Sequence, residues 1–193
     1  CADNSTNNYS AYLSQSIKKI KPDATYTLSA YLKENGNTTT LKAKLTIVQK
    51  NANSAIIDAK TKELTLTTAW SLYSHPLTTK ADATSIEIRI EIEKKGFALT
   101  SPTTIKIGAT QFEENSIATA WEDDSWETEY LVATKNMVYN PAFGAIAGES
   151  LPDGWEKVID SPTGTANTTI SLTKATVVGG IERPAVRFDF NKE

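Results

Sequence analysis

Trp121 and Trp126 stand among acids in ATAWEDDSWE, residues 118–127, and that pairing of ring and charge is the most suggestive chemistry in the chain. Exposed rings beside hydrogen-bonding groups suit stacking on the apolar face of a sugar, whose hydroxyls are then taken by amides and charges. Tyr31, on the strand face opposite Leu28 and Leu32 and close to Lys33, is a further candidate ring. Carboxylates gather at Glu113–Glu114 and Glu122–Asp124, where their hard oxygens suit calcium. Nucleophilic catalysis has little to draw on. His75 is the single histidine, so any Ser-His-Asp or Cys-His set would have to use it, and a zinc site with two histidines is excluded. In SLYSHPL it precedes Pro76 near a strand end, a structural or solvent-facing place. Paired acids can hydrolyse glycosides, but Glu87, Glu91 and Glu93 alternate on a wet strand face, which is the pattern of solvated charge. VVGG has neither the spacing nor the following Lys-Ser of a phosphate loop.

The elements that must carry these residues are strands. In SIEIRIEIE, Ile86, Ile88, Ile90 and Ile92 point one way while Glu87, Arg89, Glu91 and Glu93 point the other. TYTLSAYL puts Tyr26, Leu28, Ala30 and Leu32 on one face, and LKAKLTIVQ does the same with Leu41, Ala43, Leu45 and Ile47. Asn35-Gly36 lies between these two and predicts that they pair as an antiparallel hairpin. Further strands are expected at 9–20, 64–73, 103–113, 128–134, 167–175 and 184–190, separated by clusters such as KPD, TSPT, LPDG and SPTG. No window carries a helical apolar stripe. The expected fold is all-β, an antiparallel jelly-roll-type sandwich.

Composition removes several classes of partner. With 39% hydrophobic residues an ordinary core can form, and 20 basic against 23 acidic residues, scattered, lack the footprint of a nucleic-acid binder. No run approaches the roughly 18 apolar residues of a membrane span, and the N-terminus lacks the order of a signal peptide, so the chain reads as a mature piece or a fragment. Cys1 is the single cysteine and makes no internal disulfide; a lipoprotein cysteine and a fragment boundary both account for it. Asn4, Asn8, Asn37 and Asn167 begin N-x-S/T triplets, which matter only in a eukaryotic source.

The order SQSIKKIKPDATYTLSAYLK, TTAWSLYSHPLTT, SIEIRIEIE and IKIGATQFEENSIATAWE resembles, over about residues 9–126, jelly-roll carbohydrate-binding modules of the family 4/9/22 type. Such modules repeat in bacterial YD-repeat surface proteins and in phage tail proteins, and QFEENSIAT is similar to their closing Gln-Leu-Glu, Ala-Thr pattern. Their opening, an Asn, a Phe and then Pro-x-Gly-Trp, resembles Asn140, Phe143 and Pro152-Asp153-Gly154-Trp155. Residues 1–130 therefore look like the later part of a module and 131–193 like its opening strands, expected to complete the same sandwich or a neighbour's. A repeat cut out of register, a circular permutation and two partial modules joined by TEYLVATKN all remain open.

The resemblance implies a non-catalytic domain of a large extracellular, cell-surface or virion protein that binds a polysaccharide or cell-surface glycan. The alternative is a structural spacer or fibre-forming repeat that self-associates by exchanging strands. It implies that Trp70 and Trp155 pack in the core and that Tyr31, with Gln15 and Arg89, lies on the sheet surface used as a cleft. It implies no cofactor beyond a structural calcium, for which Glu113 and Asp123 are the candidate ligands, although Gly108 and Ala109 stand where the family's aspartate is expected.

Overall fold

The computed structural model describes residues 9–35, 41–94, 103–119, 155–160, 168–176 and 182–190. Ten strands run through them: β1 (Tyr9–Lys18), β2 (Thr25–Asn35), β3 (Leu41–Lys50), β4 (Ile56–Leu64), β5 (Ser71–Thr78), β6 (Ser85–Lys94), β7 (Thr103–Glu113), β8 (Glu156–Asp160), β9 (Thr168–Thr176) and β10 (Glu182–Phe190). They form two antiparallel five-stranded sheets, β4-β3-β6-β1-β8 and β5-β2-β7-β10-β9. Most successive strands cross from one sheet to the other, which makes the fold the jelly-roll-type sandwich that the alternation predicted. No helix occurs among the described residues.

Alternation explains how the two sheets meet. Ile86, Ile88, Ile90 and Ile92 of β6 are all fully buried, and each contributes about 1.5–3 kcal/mol by leaving water. They join Leu13, Ala43, Leu45 and Ile47 from the first sheet and Leu28, Leu32, Ile105, Ile107, Phe112 and Phe188 from the second in one apolar core. Tyr26 and Phe112 stack inside it with ring centroids 5.3 Å apart. The Tyr26 hydroxyl is satisfied by the Lys21 backbone N–H at 2.8 Å, as a buried phenol requires.

Two expectations need correction. First, β2 and β3 do not pair: β2 lies between β5 and β7 in the second sheet, and β3 between β4 and β6 in the first. The turn signal at Asn35-Gly36 is local, whereas pairing is decided by which edges the rest of the chain fills. Second, 64–73 is not one strand but the end of β4, a connection and the start of β5. The pattern of alternation does not mark β4, because it is an edge strand whose residues are mostly exposed and so show no buried alternation. Nor does it mark β8, which is only five residues long. The expected strand at 128–134 lies outside the described residues.

Strand β7 contains the chief irregularity. Ala109 and Thr110 together oppose Ala30, a bulge with Ala109 at φ 48°. The extra residue turns Gln111 outward and Phe112 into the core, reversing the parity that Ile105 and Ile107 set.

Candidate functional site

On the outer face of the first sheet, β1 presents Tyr12, Ser14 and Ser16 between β6 and β8. Register sets the neighbours: Ser14 lies opposite Arg89 on β6 and opposite Glu156 on β8. Strand β8 begins at Glu156, so the ladder between β1 and β8 ends at Ser14. A groove of about 390 Å³ opens there, lined by Tyr12, Ser14, Gln15, Ser16, Lys50, Glu87 and Glu156. That size falls in the range of small-ligand clefts. Trp155, just before β8, turns into the core and closes the sandwich beneath.

The charges on this face hold one another in place. Arg89 Nε donates to Glu87 Oε1 at 2.6 Å, and Lys50 Nζ donates to Glu87 Oε2 at 2.6 Å. Burial pushes the Glu87 carboxyl up, but those two hydrogen bonds and the positive charges behind them outweigh it and leave it below 4.5. The Arg89 guanidinium also lies over the Tyr12 ring, 5.0 Å from its centroid. Burial opposes its charge, yet Glu87, Tyr12 and Glu91 together hold Arg89 above its ordinary value. Further along the face, Lys44 pairs with Glu93 at 2.7 Å, and Thr46 Oγ1 donates to Glu91 at 3.3 Å. The result is an aromatic ring, hydroxyls and fixed charges of both signs along one groove.

The candidate residues separate between the two sheets. Gln15 and Arg89 both lie on the first sheet but on opposite faces: Arg89 is opposite Ser14 on the outer face, whereas Gln15 is opposite the buried Ile88, has the inward parity of Leu13 and Ile17, and is itself buried at the margin of the groove. Tyr31 sits on the outer face of the second sheet, opposite Leu72 and Gly108, so Gln15 and Arg89 do not join it. Trp121, Trp126 and Asp123 lie outside the described residues. Trp155 is in the core, whereas Trp70 is half-buried with Lys33 Nζ 5.3 Å from its ring centre. Tyr12 was not singled out from sequence, although a signal was present: it is the aromatic among serines at the wet positions of β1, between Ser10 and Ser14.

Glu113 is fully buried on the outer side of the second sheet, beneath the segment that follows β7. Its carboxylate accepts from Thr119 N at 2.7 Å and from Thr119 Oγ1 at 2.8 Å. Thr27 Oγ1 donates to the Asn115 carbonyl at 2.7 Å, which pins the same segment. Among the described residues no three His, Cys, Asp or Glu side chains converge as a metal site would require. Both oxygens of Glu113 accept from Thr119, and Gly108 and Ala109 offer no side-chain oxygen; Asp123, the other expected calcium ligand, lies outside the described residues.

The described residues thus form a jelly-roll-type sandwich with a polar groove on one sheet and the Tyr12 ring in its wall. The sequence matches the carbohydrate-binding domain family of the 4/9 type over residues 2–103. The chain belongs to that family of carbohydrate-binding domains. Among solved structures it is similar to the enzymatically active domain of bacteriophage CBA120 tailspike protein 4, at 14% identity and a TM-score of 0.43 over 53% of this chain. It is also similar to a structure titled "CBM4 structure and function", at 21% identity and a TM-score of 0.30 over 44% of this chain. The chain spans 13% of the first of these and 56% of the second. No curated protein matches it by sequence.

Proposed function

We propose that the chain is a non-catalytic glycan-binding domain of an extracellular or cell-surface protein and that the groove on its first sheet is the binding cleft. One observation carries this reading: Tyr12, Gln15, Ser14, Ser16, Lys50, Glu87 and Glu156 line a single groove of about 390 Å³, with Arg89 stacked on Tyr12. Tyr12 supplies the apolar surface for a sugar ring, and the serines and the charged groups take hydroxyls. Arg89 and Glu87 are held by each other, so little conformational freedom remains to be lost on binding. In this reading β8, β9 and β10 are the opening strands of a module placed last in the chain. Its support is that β8 pairs with β1 and β10 with β7.

Calorimetric titration with neutral cello-, xylo- and manno-hexaose tests the reading. Binding of at least one is expected, and Tyr12→Ala should weaken it about tenfold, or about 1.4 kcal/mol, the order of one aromatic stacking contact. If no neutral oligosaccharide binds, or if Tyr12→Ala binds as tightly as the unaltered chain, the groove is not the cleft.

A further inference from the structure

Beyond the end of β7 the chain is tied down at several points. Thr119 N and Oγ1 donate to the buried Glu113 carboxylate at 2.7 and 2.8 Å, Gln111 Nε2 donates to Thr119 Oγ1 at 2.9 Å, and Thr27 Oγ1 donates to the Asn115 carbonyl at 2.7 Å. The Asn115 N–H turns back onto the Glu113 carbonyl at 3.0 Å. A tight turn results, and the exposed Ser116 follows it. There the Ser116 N–H donates to Oδ1 of Asn115, the residue before it, at 2.8 Å. Cγ is bonded to that oxygen, so the contact sets the Ser116 nitrogen beside the carbon with which it can close a cyclic imide. Holding the Asn115 side chain in this arrangement removes beforehand the freedom that such an attack has to lose.

The turn between β3 and β4 offers a contrast within the same chain. Asn53-Ser54 is the same dipeptide, and both of its residues are exposed. Yet the Ser54 N–H donates to the Asn51 carbonyl at 2.9 Å, a bond that it must give up before it can attack. Asn51 is held as well: its Oδ1 accepts from Asn53 N at 3.0 Å and from Ala55 N at 3.1 Å, both beyond the Ala52 nitrogen that follows it. Of Asn51, Asn53 and Asn115, only Asn115 has its side-chain oxygen engaged by the nitrogen next in the chain.

We infer that Asn115 is a site of spontaneous self-modification, which loses its side-chain amide through a cyclic imide formed with Ser116. Base removes the Ser116 amide proton, the nitrogen bonds to Asn115 Cγ, and the Cγ–Nδ2 bond breaks as ammonia departs. One water then opens either carbonyl of the ring, leaving an aspartate or an isoaspartate at position 115. Either product places a new negative charge beside Glu113 and Glu114, and like charges so close repel. Isoaspartate also lengthens the main chain by one carbon inside the loop that Glu113 and Thr119 close. The modification needs no ligand and does not depend on the reading of the groove.

The test is peptide mapping by mass spectrometry of the full chain after about two weeks at about 37 °C and about pH 8, conditions under which thermolabile asparagines react. Asn115 should convert about fivefold or more faster than Asn53, the factor supplied by the one backbone hydrogen bond that Ser54 has to break. Methylation by an isoaspartyl methyltransferase should label the peptide that holds position 115. Repeating the incubation in about 6 M guanidinium chloride removes the fold, and the two Asn-Ser sites should then react within about twofold of each other. Asn35-Gly36, where glycine hinders the following nitrogen least, is the positive control in both solutions. Equal rates at Asn115 and Asn53 in the folded chain overturn the inference, as does conversion at Asn35 with none at Asn115. A gap that persists unchanged in denaturant overturns it too, because flanking sequence and not the fold would then be the cause.

Discussion

Replacing Glu87 by Gln probes both the architecture of the cleft and its electrostatics. The Glu87 side chain is 13% exposed and accepts two charge-assisted hydrogen bonds of 2.6 Å, from Arg89 and from Lys50, whose side chains are 24% and 26% exposed. A hydrogen bond to a charged group contributes about 1.5–3 kcal/mol when well buried. Partial exposure of both cations reduces that, and Gln keeps one acceptor while turning an NH2 toward the second cation. The expected cost is about 1–2 kcal/mol at pH 7, a fall in Tm of about 2–8 °C for a chain of this size. The carboxyl of Glu87 is held below 4.5 in the folded state. Its contribution is therefore complete above the unfolded value and is lost as pH falls through the lowered folded value. Urea denaturation of both proteins at intervals from pH 7 to pH 3 should show the gap between them closing below about pH 4.5. A gap of the same size at pH 3 as at pH 7, or none at pH 7, would refute the argument that a gripped carboxylate braces this face.

Two further perturbations report on other parts of the sandwich. Ala109 adopts φ 48°, which costs a residue with a Cβ about 1–2 kcal/mol, while glycine in a strand gives back about half of that in entropy. Ala109→Gly should therefore raise the urea midpoint, by up to about 1 kcal/mol in stability, with an unchanged slope. Burial pushes His75 below 6.5, Lys62 adds to the effect, and a hydrogen bond with the Lys60 backbone opposes it. Since the unfolded chain takes up the proton first, His75 makes the fold lose stability as pH falls from 6.5 toward the lowered folded value. His75→Gln should flatten that part of the thermal stability profile between pH 7.5 and 5.5.

Much of the sandwich was legible in the linear order of residues. SIEIRIEIE determines a strand with four isoleucines inward and four charges outward, because a two-residue repeat admits no other burial, and β6 has that arrangement. Strands β1, β2, β3 and β7 were readable for the same reason, and the order of motifs pointed to the family that the match over residues 2–103 establishes. Strand β4 was not readable, since an exposed edge needs no alternation. The partners of β2 and β3 were not readable either, because pairing is a contest among all open edges, and only the closed set of ten strands decides it. The bulge at Ala109 and Thr110 moved Gln111 outward and Phe112 inward, a reversal of parity that depends on Ala30 of the facing strand. Tertiary structure alone placed Gln15 and Arg89 on one sheet and Tyr31 on the other, beside Tyr12 in the first case and Gly108 in the second. Alternation tells which side of its own strand a residue takes, but which sheet that strand joins is settled by contacts far away in sequence.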